Sequence, residues 1–131
     1  MTTLKHAVKI KSTLEKTFKA LTEISEMQCW HLGKVSGDIS VGHNVYIDVG
    51  NDRFGWRTDK LIPNAYLEQS MISGSKDGQG KVLSFHISPL SDGRVLVELI
   101  DGQWDEESSH LPFCNTHWGI ALHNLKAYLE K

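Results

Sequence analysis

The run from His110 to Lys131, HLPFCNTHWGIALHNLKAYLEK, constrains this chain more than any other. Leu111, Cys114, Trp118, Ala121, Leu122, Leu125 and Leu129 recur at steps of three and four, which stacks them on one face of a long amphipathic helix. Pro112 suits a first-turn position, where its missing N–H costs nothing, and Ser108 or Ser109 stands just upstream as a cap. At about 100° per residue, Phe113, Ile120 and Tyr128 widen the apolar sector beyond what a surface helix needs. Such a helix is expected to lie in a deep groove, which the preceding residues must supply.

They do so with strands. In Leu4 to Lys11 the apolar Leu4, Val8 and Ile10 share one parity with His6, and lysines occupy the other, the pattern of a half-buried strand. Ser12-Thr13-Leu14-Glu15 reads as a capping box opening a helix that buries Leu14, Phe18 and Leu21. After a break at Thr22 to Ser25, a second short helix carries Ile24, Met27 and Trp30.

From Leu32 to Gly102 the period becomes alternating, punctuated by Gly, Asn, Asp and Pro clusters. Six strands are predicted: Gly33 to Gly37, Asn44 to Val49, Phe54 to Ile62, Tyr66 to Ser73, Lys81 to Ser88 and Arg94 to Ile100. Leu83, Phe85 and Ile87, and Val95, Val97 and Leu99, are the faces expected to look toward the last helix. The order is strand, two short helices, six strands, long helix: an α+β fold in which one curved antiparallel sheet carries its helices on one side. Such a sheet tends to leave a cavity against the helix. The segment Gly74 to Gly80 is glycine-rich but leads into a strand, so it reads as a hairpin loop and not a phosphate cradle.

With 131 residues, the chain reads as a single domain able to bury a real core. Fourteen Lys and Arg against 16 Asp and Glu leave a net charge of −2, so no basic field invites nucleic acid. Cys29 and Cys114 form no Cys-x-x-Cys pair and are expected to be buried free thiols. The opening MTTLKHAVKIK places lysines where a secretory signal needs an apolar block, and no run is long enough to span a membrane, so a cytoplasmic protein is expected.

Several side chains are candidates for chemistry. His110, Cys114 and His117 are metal-ligand types at steps of four and three, but Pro112 sets His110 before the regular helix and no fourth ligand is evident, so no metal is assigned. His117, Ala121, Asn124 and Tyr128 form a ladder along the flank of the apolar sector. Facing a cavity, His117 and Asn124 would orient a ligand and Ala121 would leave room for it; otherwise they cap sheet-edge carbonyls or reach solvent. Trp56 shares a face with Phe54 and Thr58, opposite Arg53, Arg57 and Asp59; an arginine face toward the cavity would favour an anionic ligand, and one toward water would not. Trp118, at the centre of the helical stripe, is core. His86, with Glu98 on the neighbouring strand, makes either a general base or an outward polar pair. No nucleophile motif is present, so no catalytic residue and no cofactor is assigned.

Thr13-Leu14-Glu15-Lys16-Thr17-Phe18-Lys19-Ala20-Leu21-Thr22, followed by Met27 and Trp30, resembles the opening of START-like (SRPBCC) domains in the branch named for an activator of the heat-shock protein 90 ATPase. Gly55 to Leu67 is similar to that branch's Gly-x-Val-x-x-x-x-Pro-x-x-x-Leu strand pair, and Trp118-Gly119, Leu122, Leu125 and Tyr128-Leu129-Glu130 to its closing helix. Gly42-His43 and Gly93-Arg94 depart from the branch's usual Gly-Gly and Gly-Thr without touching the fold. The resemblance implies a helix-grip fold whose cavity, in relatives, accepts lipids, hormones or polyketides. The expected function is binding of a small, largely apolar molecule between the sheet and the last helix, lined by Trp56, Phe85, His117, Trp118, Ala121 and Asn124. The alternatives it implies are a module that regulates a heat-shock chaperone and a cyclase- or hydrolase-type enzyme using the same cavity.

Overall fold

The computed structural model describes residues 1–74 and 79–131. Its elements run β1 (Thr2–Ile10), α1 (Leu14–Thr22), α2 (Ile24–Met27), β2 (Lys34–Gly37), β3 (Asn44–Val49), β4 (Asp52–Ile62), β5 (Tyr66–Ser73), β6 (Val82–Pro89), β7 (Val95–Trp104) and α3 (Leu111–Leu129). This is the expected α+β helix-grip order. The strands form one curved, wholly antiparallel sheet in the order β1-β7-β6-β5-β4-β3-β2. The chain thus meanders from β2 to β7, and β1 closes the far edge against β7. Part of the expected loop from Gly74 to Gly80 lies outside the described residues.

Parity decides which face is core. Leu83, Phe85 and Ile87 of β6 and Val95, Val97 and Leu99 of β7 are all buried, as their alternation requires. They meet Trp118, Ala121, Leu122 and Leu125 of α3 and Ala20 and Leu21 of α1 in one core. Arg53 and Arg57 are on the wet face, held by Asp48 and Asp59 respectively. His86 and Glu98 stand opposite each other in the β6–β7 register, both exposed, as an outward pair.

Several local expectations change. Thr13, not Ser12, is the N-cap of α1, its hydroxyl accepting from the Lys16 N–H at 3.1 Å. The inner face of α1 is Thr17, Ala20 and Leu21, and Leu14 and Phe18 are half-buried at the edge of the core. α3 begins after His110, which makes no side-chain cap bond, with Pro112 in the first turn. Its groove is shallower than the apolar sector implied: Phe113 is 76% exposed and Ile120 46%, because the sheet covers one side of the helix only. Neither cysteine is fully buried; Cys29 is exposed and Cys114 intermediate. The first lies on the outer side of the turn after α2, and the second faces a space rather than packed side chains. Among the described residues, no helix is long and apolar enough to cross a membrane.

Candidate functional site

Under the first half of α3 the sheet and helix part company and enclose a cavity of about 710 Å³. Its roof is His110, Phe113, Cys114, His117 and Trp118. Ile47 and Val49 of β3, Phe54 and Trp56 of β4, and Met71 of β5 form an apolar floor. Asp101 and Trp104 of β7 close one side, and Asn51, Asp52 and Arg53 stand at the rim. Trp56 and Trp118 bound its inner end, with ring centroids 6.2 Å apart. Behind them lies a void of about 10 Å³, with room for roughly one water.

A kink in β7 turns Asp101 and Trp104 inward together. Asp101 continues the buried parity of Val95, Val97 and Leu99, but Leu4 pairs with Asp101 and Thr2 with Trp104, so β7 carries one residue more than β1 over this stretch. Such a bulge reverses the parity beyond it, and Trp104 becomes buried at 1% exposure.

Asp101 is buried, at 6% exposure. Its Oδ2 accepts a hydrogen bond from the Trp118 indole N–H at 3.1 Å. The Trp104 indole N–H also turns toward it, outside strict hydrogen-bond geometry. Burial pushes the carboxyl pKa above its ordinary value, and the indole donors and the more distant Lys81 and His6 only partly oppose that rise. Desolvation, with a smaller effect from Asp101, drives the Cys114 thiol up to about 11, which leaves it protonated at neutral pH and unfit as a nucleophile. Burial lowers the His117 pKa, so its imidazole is held in the neutral form. His110, Cys114 and His117 all border the cavity, yet among the described residues no three His, Cys, Asp or Glu side chains converge well enough to hold a metal ion.

Of the six candidate lining residues, Trp56, His117 and Trp118 surround the cavity. Phe85 lies behind Trp118, ring centroids 6.1 Å apart, against the small void. Ala121 and Asn124 do not line the large cavity. Ala121 is wholly buried in the core, and the Asn124 Nδ2 donates to the Trp30 carbonyl at 3.4 Å. The next residue of the ladder, Tyr128, donates to Glu26 Oε1 at 2.9 Å, so this flank ties α3 to α2 and its following turn. Asp101, Trp104, Met71, Phe113 and Cys114 complete the site without having been singled out as lining. For Asp101 a signal existed: it prolongs the inward parity of an apolar strand, where a carboxylate is costly unless it has work to do.

A family model described as Activator of Hsp90 ATPase homolog 1-like protein matches residues 11–130. The chain belongs to this family. Its fold is similar to the Aha1 dimer of Colwellia psychrerythraea solved in solution, at 26% identity and TM-score 0.91, over 99% of this chain and 97% of that one. It is also similar to protein MLL2253 from Mesorhizobium loti, at 19% identity and TM-score 0.85, over 97% and 96%. DynU16, a protein in the dynemicin biosynthetic locus, matches at 17% identity and TM-score 0.81 over 98% of this chain, which spans only 47% of DynU16. These last two likenesses establish the fold alone. No curated protein matches the chain by sequence. The START-like assignment made from the α1 motif and the closing helix therefore holds for this family member.

Proposed function

We propose that this family member binds a small, largely apolar molecule in the cavity beneath the first half of α3. The observation that carries the reading is the cavity itself: about 710 Å³, walled mainly by Ile47, Phe54, Trp56, Met71, Phe113 and Trp118. That volume falls in the range of about 300–1,000 Å³ usual for ligand sites, where apolar walls combine with a few convergent polar groups. Burying about 300 Å² of apolar ligand surface would contribute about 7 kcal/mol before the costs of association. Asp101 and His117 supply the polar contacts that set orientation.

Trp56, Trp104 and Trp118 border the cavity, while Trp30 does not. NMR titration with fatty acids, flavonoids and polyketide-like aromatics should therefore move the first three indole N–H signals and spare the fourth. A diverse panel that leaves all four unmoved would sink the reading.

A second reading, regulation of a heat-shock chaperone, is supported by the family description and by Phe113, an aromatic ring 76% exposed on the cavity roof. Large exposed rings of this kind are disproportionately found at protein contacts.

A further inference from the structure

The acid buried in the cavity wall is poorly neutralised. Asp101 sits at 6% exposure among apolar and indole surfaces, and its one close bond, from the Trp118 N–H, orients it without bringing a net charge. Lys81, just before β6, acts on it only through space, its ammonium lying 4.8 Å from the centre of the Trp104 ring. From β1, His6 likewise acts only through space. From α3, the Cys114 thiol and the His117 imidazole are both held neutral by burial. The rim arginine, Arg53, is bound through Nε and a terminal amine to the two carboxylate oxygens of Asp48.

We propose that the cavity selects an amphiphile whose apolar body carries a protonated amine, and that Asp101 receives that amine. This rests on the cavity being a ligand site at all. An ammonium would supply both the missing countercharge and an N–H donor, and charge-assisted bonds of this kind are about twice as strong as neutral ones. An anionic head group would meet like charge in a poorly solvated space, where repulsion is weakly screened. Of the two arginines that would have favoured an anion, Arg57 does not border the cavity and Arg53, at its rim, is committed to Asp48.

The experiment compares naphthylethylamine, naphthylethanol and naphthylacetate, three probes with one apolar body and different charge. Binding to the full chain is measured by calorimetry and by the indole N–H signals at pH 7.5. The amine should bind at least about tenfold tighter than the alcohol, and the acid weakest of the three. In the Asp101→Asn variant, which keeps shape and an acceptor but loses the charge, the amine's advantage over the alcohol should fall to within about twofold. Equal binding of amine and alcohol to the unmodified protein, or an amine preference that survives in the variant, overturns the assignment and leaves the cavity reading intact. If none of the three binds, the cavity reading falls and takes this one with it. Should the variant fail to fold, the charge series on the unmodified protein decides alone.

Discussion

His31 stacks on Trp30 with ring centroids 3.8 Å apart and presents an edge to Trp118 at 6.4 Å. Its Nδ1 is enclosed and has no hydrogen-bond partner among the described residues. Burial, reinforced by His117, drives its pKa from 6.5 down to about 3. The folded protein therefore refuses a proton that the unfolded chain accepts, and stability falls as pH drops below 6.5. At about 1.4 kcal/mol per pH unit, about 2 kcal/mol should be lost between pH 7.5 and 5. Urea unfolding at the two pH values measures this. A His31→Phe change, which keeps the stack and removes the proton site, should flatten most of the difference; an unchanged slope would refute the assignment. His117, lowered in the same direction, supplies part of what remains. None of this was visible in the linear chain, because His31 follows a turn with no regular period and its enclosure comes from the distant Trp118. Asp101 was closer to legible, since parity alone put it inward; only the neighbouring bulge, a matter of pairing with β1, decided that it would share its pocket with Trp104.

At the level of elements, the first helix ends against a side chain that arrives ten residues later. The Trp30 indole N–H donates to the Ala20 carbonyl at 2.8 Å, and this carbonyl belongs to the last turn of α1, where no helical N–H follows to satisfy it. Trp30 is 1% exposed, so the bond is made in the interior. Trp30→Phe should therefore cost about 1–3 kcal/mol from the orphaned carbonyl in addition to lost packing, read as a lower urea midpoint with unchanged cavity binding. A variant as stable as the parent would show that water serves the carbonyl equally well. Gln28 makes a comparable tie, its amide donating to the Gly33 carbonyl and accepting from the Val35 N–H, both at 2.8 Å, so α2 is clamped to the first short strand. The strands themselves were legible to within a few residues, and β3 and β5 to their end residues, because alternation and turn residues are local signals. Helix starts were less so: Ser12 and Thr13 are both good caps by residue type, and only the observed bond from the Lys16 N–H to the Thr13 hydroxyl separates them.

Across the whole molecule, the sheet grips the C-terminal half of α3 and stands away from its N-terminal half. The far end is also tied at its edge, where the Lys11 N–H donates to Glu130 Oε2 at 2.9 Å and the Lys126 ammonium to the Lys9 carbonyl at 2.6 Å. The near end is left to overhang the cavity with Phe113 outermost. If the chain acts on a chaperone, this ring is the place to look: Phe113→Ser should reduce stimulation of heat-shock protein 90 ATPase several-fold without altering the urea midpoint, since little of the ring is buried to begin with. No stimulation by the unmodified protein would remove the chaperone reading and leave the ligand reading untouched. Periodicity, parity and turn chemistry determined by themselves which segments became strands and helices, their order, and the inward faces of β6, β7 and α3, because each depends on residues a few positions apart. Where the helix leaves the sheet, which polar groups end up inside the gap, and that Asn124 became a tie while Asp101 became a wall were decided only in three dimensions. Those outcomes depend on how a twisted sheet and a straight helix diverge, and on a single extra residue in β7, neither of which has a local signature.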